Sequence, residues 1–314
     1  RAAYKDRLAE TNDPDEREHL QQRADALKWI LVSCFGYQGY RNAKFGRIEC
    51  HEAINAVARE LMLDAKGRLE AGGWQVVHGI VDSLWVTPRE ANPTPLATLC
   101  TAISDDCGIP LEHENDFDWV AFVPKRDAEA GALTKYFGAV REPAQSTAEY
   151  KIRGIETRQR STPTYIATVQ ERLIERYDET RQPQAVVRAL ADALATLRAG
   201  EVAPSEFVTT VRISQPLAAY DQATHTVAAL KRLRDQGLSR SPGQDVEYVV
   251  VDDAATGGAR VRLPHESPTT YDIDHYSQAL IRAGVSVLAP LGYDERTLRQ
   301  ALRDTTDQTL DAYQ

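Results

Sequence analysis

Apolar positions along the chain switch between a 3.6-residue and a 2-residue spacing, and the switches outline its elements. Residues 1–9 read as the end of a helix, TNDPDE (11–16) as a turn with Asp13 before Pro14, and residues 15–34 as a long returning helix. The chain therefore opens on a helical hairpin. FGYQGY (35–40), with two glycines, is expected to break the second helix, and residues 47–71 resume a helix that AGG ends. WQVVHG (74–79) and SLWVT (83–87) read as strands, a helix follows near 95–106, and further strands are expected at 117–123, 134–140 and 149–154. After Thr162-Pro163 helical periodicity takes over in TYIATVQERLIERY and PQAVVRALADALATLRAG. EFVTTVRI reads as extended, and THTVAALKRLRDQG as a helix with Gly237 past its end. VEYVVVDDAATGGARVRL reads as a hairpin turning at Gly257-Gly258, and two helices close the chain. The class is α+β, with no internal repeat and no low-complexity segment.

A length of 314 residues exceeds what one compact core usually holds, so two or three domains are expected. Apolar residues make up 42% of the chain, enough for sizeable cores, yet no apolar run reaches the ~18 residues of a membrane span. The chain opens on Arg1 rather than Met, in mid-pattern, which suggests a piece of a longer protein. Cys34, Cys50, Cys100 and Cys107 form no CxxC pair and are expected to be free, buried thiols in a reducing, cytoplasmic compartment. HEAIN (51–55) begins like a zincin helix but has Asn55 where the second His belongs, so a zinc site is rejected there. The net charge of −9 excludes a generally basic nucleic-acid coat and leaves room for a local basic groove.

Several stretches carry candidate chemistry. Arg1 and Lys5, spaced i,i+4, share a helix face, and Lys28 lies on the returning helix. An antiparallel hairpin can bring the three together, which suits a triphosphate; the alternative is a solvated basic face. Gly36 and Gly39 would let another backbone or a base pair approach closely. HGIVDS (78–83) places one carboxylate, Asp82, among Ile, Val and Leu, where by composition alone it is a turn residue. If the strand alternation runs on, positions 80 and 82 face the same side. LEHEND (111–116) is an acidic cluster that reads equally as a solvated strand edge, while LTKYFGAV (133–140) and YKIRGIETRQRSTP (150–163) read as polar strands.

These stretches, in this order, resemble family B DNA polymerases. The opening RAAYKDRLAETNDPDEREHLQQRADALKWILVSCFGYQGYRNAKFG is similar to the fingers, whose helical hairpin ends in K-x3-N-S-x-Y-G followed by x-x-G-[YF]. Lys28, Ser33, Gly36 and Gly39 match that motif, while Val32 stands for its Asn and Phe35 for its Tyr. HGIVDS resembles the family's Y-G-D-T-D-S hairpin, with His78 for Tyr, Ile80 for the first Asp and Val81 for Thr. The altered hairpin resembles that of a divergent archaeal paralogue group. The family's partner carboxylate lies in an upstream D-x-x-S-L-Y-P motif, which does not occur in this sequence and is expected before Arg1.

The resemblance implies fingers over 1–45, an antiparallel-sheet palm with packed helices over 46–162, and a mainly helical thumb over 163–314. It implies a DNA-directed DNA polymerase that joins a dNTP to a primer 3′-OH, in replication or repair. Asp82 would be the Mg²⁺ ligand and Glu114, ahead of Glu112, a further active-site acid carried on a strand. Arg1, Lys5 and Lys28 would hold the nucleotide phosphates. Lys135 and Tyr136 resemble the family's K-K-x-Y segment, and Arg153 and Gly154 its [TK]-x-R-G-x-E segment; both imply contact with primer–template DNA. In the thumb, Tyr220, a helix ending K-R-L, a Gly and Pro242-Gly243 come in the family's order, with Lys231, Arg232 and Arg240 as candidate phosphate contacts. A sliding clamp or other replication factors are further candidate partners. The alternative is a polymerase-like module without catalysis that binds primer–template DNA or scaffolds partners; Ile80 and Val32 point that way, Asp82 and Lys28 toward the enzyme.

Overall fold

The computed structural model describes residues 1–125, 128–141 and 149–311. It is a mixture of helices and small antiparallel sheets in two compact units, 1–114 and 115–314.

In the first unit, α1 (Ala2–Glu10) and α2 (Pro14–Gln38) form the expected hairpin. Asp13 caps α2 by accepting from the Asp15 amide at 3.0 Å, and Pro14 occupies the first turn, where a missing N–H costs nothing. Arg17 donates to the carbonyls of Leu8 and Thr11, both at 3.0 Å, which ties the two helices at the turn. Of α2, only Leu20 and Ala24 are buried. The helix runs through Gly36 and ends at Gly39, so FGYQGY does not break it at its first glycine. One glycine costs a helix only about 1 kcal/mol, which 25 residues of continuous hydrogen bonding tolerate.

Then follow α3 (Ile48–Ala71), the hairpin β1 (Trp74–Ile80) and β2 (Ser83–Pro88), and α4 (Leu96–Cys107), close to the expected spans. Ala65 and Leu69 of α3 and Ile103 of α4 are buried against Trp74, Val76, Leu84 and Val86. This small core seats the hairpin on the two helices.

The second unit begins with the sheet β3 (Phe117–Lys125), β4 (Ala128–Val140) and β5 (Glu149–Arg153), in that order. Next come α5 (Thr164–Thr180), α6 (Pro183–Arg198), β6 (Thr209–Arg212), α7 (His225–Asp235), β7 (Asp245–Val250), β8 (Val261–Arg262), α8 (Ile273–Leu288) and α9 (Glu295–Asp311). The helical spacing of α5 buries Ile166, Val169, Gln170, Leu173 and Ile174 in a core shared with α6 and α8. Gln170 is buried because its amide is matched: it accepts from the Thr157 amide at 2.8 Å and donates to Ala283 O at 2.9 Å and Glu156 at 2.7 Å. Asp178 of α5 fastens the β3–β4–β5 sheet, accepting from Trp119 Nε1 at 2.6 Å, Tyr150 OH at 2.9 Å and Arg181 at 2.6 Å.

Two expectations are corrected. The segment after β7 is not a tight hairpin at Gly257-Gly258. β8 has two residues, paired Val249↔Arg262 and Val250↔Val261, and the glycines open a 3₁₀ turn, Gly257–Arg260. The preceding loop is held instead by Asp252, whose carboxylate accepts from the amides of Ala254 and Ala255. The four cysteines are free but not buried: Cys34 and Cys50 are exposed, Cys100 and Cys107 half-buried. No helix among the described residues is long and apolar enough to cross a membrane.

Candidate active site

The β1–β2 register ends with Ile80 opposite Ser83, so Val81-Asp82 is a two-residue turn. Val81 holds φ at 55°, in the left-handed region that a β-branched side chain rarely enters. Such a residue costs of order 1–3 kcal/mol, and Val81 is 84% exposed, so its own burial does not offset that cost. The two-residue hairpin turn imposes it, because such turns take positive φ at their first position. Asp82, beside it, is exposed and accepts from Ser83 Oγ at 3.3 Å. The alternation expected to place Ile80 and Asp82 on one face therefore stops at Ile80, because Asp82 belongs to the turn.

The strands below also re-aim their side chains. A bulge between Val76 and His78 shifts the phase of β1. Val76, Leu84 and Val86 pack on the helices, while the pairs His78↔Trp85 and Ile80↔Ser83 lie on the opposite face. The His78 and Trp85 rings meet edge-on at 5.0 Å. A lone carboxylate on an exposed turn fits Mg²⁺ as one ligand among several, since that ion usually takes one or two carboxylates and keeps waters; Ile80 offers it no oxygen.

Glu112 and Glu114 are exposed in the irregular segment 110–116, ahead of β3, and not on the strand the resemblance implied. Arg1, Lys5 and Lys28 are all exposed. Arg23 donates to Tyr4 OH at 3.3 Å and fixes how the two helices face each other. Lys28 lies five residues beyond Arg23, about 7.5 Å along the helix, and Arg1 three residues before Tyr4 in the same direction. The hairpin thus brings Arg1 and Lys28 to about the same level along its axis, at the start of α1 and in the middle of α2, with Lys5 about a turn behind.

Gly36 has open space around it, whereas Gly39 is already approached from within. A Cβ at Gly39 would stand 3.2 Å from the His51 ring, whose centroid also lies 4.2 Å from that of Phe35, tilted by 31°. Gly46, not singled out from the sequence, is the tightest of the three: a Cβ there would lie 2.2 Å from Tyr40 O. Val32, at the position of the family's Asn, is 59% exposed.

In the second unit, register joins the two middle segments. Tyr136 of β4 pairs with Arg153 of β5, which sets Lys135 beside Gly154. Lys135 and Arg153 are exposed, while Tyr136 is buried against Phe122. Gly154 has φ 69°, and a Cβ there would meet Thr134 O at 2.2 Å, so this glycine serves the sheet itself. Of the thumb candidates, Arg240 is exposed and Lys231 half-buried. Arg232 is paired within the unit, donating to both Glu266 oxygens at 2.6 Å and to Gly258 O at 3.3 Å. Those bonds hold the Glu266 carboxyl below the usual carboxylate range.

One cluster escaped sequence reading. His225, Asp253 and His275 place a ligating atom each within 4.8 Å of one another. They are 28 and 22 residues apart, so no spacing motif announces them.

No family model matches the chain. It is 24% identical over 306 residues to a DNA polymerase of Pyrococcus glycovorans, across 95% of this chain and 38% of that protein. It is 35% identical over 107 residues to DNA polymerase 2 of Saccharolobus solfataricus, across 34% of this chain and 16% of that protein. The solved structure of a family B DNA polymerase from Pyrobaculum calidifontis matches with a TM-score of 0.59 at 21% identity, covering 93% of this chain and 37% of that one. The chain thus spans 38% of the length of the first of these relatives. The resemblance carried by the sequence motifs is borne out: across 95% of its length this chain is similar in sequence to archaeal DNA polymerases, and its fold is similar to that of a family B DNA polymerase.

Proposed function

We propose that this chain is the fingers, palm and thumb portion of a DNA-directed DNA polymerase, over 1–45, 46–162 and 163–314. The reaction is attack of a primer 3′-OH on the α-phosphate of a template-paired dNTP, with pyrophosphate leaving. The observation that carries this reading is Asp82 itself, an exposed carboxylate beside a strained Val81 at the tip of a hairpin seated on two helices. Asp82 would hold Mg²⁺, which supplies charge neutralisation for the reacting phosphate. Arg1, Lys5 and Lys28 offer their charge to the triphosphate, and Glu114 is the further acid. Exposed Lys135, Arg153 and Arg240, with half-buried Lys231, contact DNA phosphates; Tyr136 and Gly154 shape the strand pair that carries the first two.

The test is single-nucleotide incorporation by the longer protein across a Mg²⁺ titration. Asp82→Ala is expected to abolish incorporation and Ile80→Ala to change it little; wild-type rates in Asp82→Ala overturn the reading. The 314-residue chain alone is expected to bind primer–template DNA without extending it. Lys135→Ala should lower the slope of affinity against salt by about 1.

The second reading, a binding module without catalysis, is favoured by Ile80 and by exposed Val32, which remove an oxygen and an amide from the positions the family uses. No incorporation by the unmutated longer protein with Mg²⁺ or Mn²⁺ would make it the better account.

A further inference from the structure

Three elements of the second unit deliver His225, Asp253 and His275 to one point. His225 is the first residue of α7, Asp253 lies in the loop after β7, and His275 stands in the first turn of α8. His225 Nε2 is 2.7 Å from Asp253 Oδ1, and His275 Nδ1 is 3.3 Å from Asp253 Oδ2. The histidine side chains are 22% and 23% exposed, so both rings are largely withdrawn from solvent.

The backbone around them is tied by one further carboxylate. Asp272 accepts from the His275 amide at 2.8 Å through Oδ1 and from the Asp253 amide at 2.6 Å through Oδ2. Asp272 is the N-cap of α8, so the cap that opens this helix also fixes the backbone of two of the three residues.

The hydrogen bonding at the centre is contradictory. Arg260 Nη2 lies 2.9 Å from His225 Nε2 and bonds the same Asp253 oxygen. A single imidazole nitrogen cannot accept from the guanidinium and donate to the carboxylate at once. Arg260 is itself incompletely matched: its Nη1 donates to Ala223 O at 2.7 Å, but its buried Nε has no hydrogen-bond partner among the described residues. A metal cation accepting electron pairs from both Nε2 and the carboxylate removes the contradiction, whereas the guanidinium can only donate hydrogen bonds to them.

We propose that His225, Asp253 and His275 form a binding site for a divalent transition-metal ion of the zinc type, with Arg260 as a competing cation that swings away when the metal enters. Two imidazoles and one carboxylate are a borderline donor set that favours zinc, cobalt or nickel over magnesium. Tetrahedral zinc sets its ligands about 3.3 Å apart. The three ligating atoms lie within 4.8 Å of one another, but the histidines meet different oxygens of Asp253, at 2.7 Å and 3.3 Å, so side-chain adjustment brings both to one carboxylate oxygen. A cavity of about 400 Å³ borders both histidines, with Thr209, Tyr248 and Arg282 among its other lining residues. Both histidines thus border open space. The proposal is independent of the polymerase reading, since it uses none of the residues assigned there.

The experiment is titration of the 314-residue chain with Zn²⁺ by calorimetry, with bound metal counted after dialysis, in wild type, His225→Ala, His275→Ala, Asp253→Asn and Arg260→Gln. One saturable site is expected, unchanged by a large excess of Mg²⁺. Each ligand substitution should weaken it by more than the roughly 10–100-fold that loss of an outer partner costs. Arg260→Gln should tighten it by about tenfold, because the competing charge is gone. If a histidine variant fails to fold, Asp253→Asn and Arg260→Gln decide the question. Absence of a saturable site in wild type, unchanged affinity in the ligand variants, displacement by Mg²⁺, or unchanged or weaker binding by Arg260→Gln would each overturn the proposal.

Discussion

Gly154, at the end of β5, lies against the carbonyl oxygen of Thr134 on β4, so closely that a Cβ built on it would stand 2.2 Å away. With φ at 69° the position also excludes other residues on backbone grounds. The residue that resembled a DNA-approaching glycine is thus the one that lets β4 and the chain leaving β5 approach closely beside Lys135. Gly154→Ala should destabilise the second unit by about 2–4 kcal/mol, combining left-handed strain with overpacking. Urea unfolding monitored by circular dichroism checks this, and an unchanged midpoint would refute the close approach.

The Arg232–Glu266 pair makes a prediction that separates structure from DNA contact. Both side chains are mostly buried, at 23% and 17% exposure. Arg232→Ala should cost about 2–3 kcal/mol, since it strips a largely buried carboxylate of two charged hydrogen bonds. It should leave the salt slope of DNA binding unchanged, in contrast to Lys135→Ala.

The same pair gives a pH dependence. Glu266 has its folded pKa depressed, chiefly by the Arg232 bonds, so its contribution is fully present above the unfolded value of about 4.3. It is lost as pH falls from there through the folded pKa. Arg232→Ala should flatten that acid limb of the stability profile, and a limb of unchanged steepness would count against the pair.

Asp178 joins the β3–β4–β5 sheet to α5 through Trp119 and Tyr150. Asp178→Ala leaves an indole N–H and a phenol without their acceptor and should cost about 3 kcal/mol. The Tyr150 phenol is pushed up by burial first and by this hydrogen bond second. Its titration should move partway back toward the ordinary tyrosine value in the variant, and ultraviolet titration against a Tyr150→Phe control reads that directly.

At the hairpin tip, Val81→Gly should raise the stability of the first unit by about 1 kcal/mol, because glycine enters φ 55° without strain. Asp82→Ala should change stability by less than about 0.5 kcal/mol, since the side chain is exposed. Chemical denaturation of both variants tests this. A large loss in Asp82→Ala would mean that the carboxylate holds the turn together, and its effect on incorporation would then need another explanation.

Most of the element boundaries were legible in the sequence because they depend on neighbours two to four residues away. The alternation of WQVVHG and SLWVT, the apolar face of α5, and the Asp13-Pro14 entry to α2 are local regularities that the chain carries with it wherever it packs. Order along the chain also carried the likeness to family B DNA polymerases. What was not legible depends on partners brought from afar. Nothing near Arg232 in sequence shows that Glu266, 34 residues on, will claim it. Nothing near His225 shows that Asp253 and His275 will converge on it, because that follows from how α7, β7 and α8 pack. Asp82 falls between the two cases: its sequence neighbourhood singled it out, but only the pairing of Ile80 with Ser83 decided that it sits in the turn, where strand alternation no longer governs a side chain.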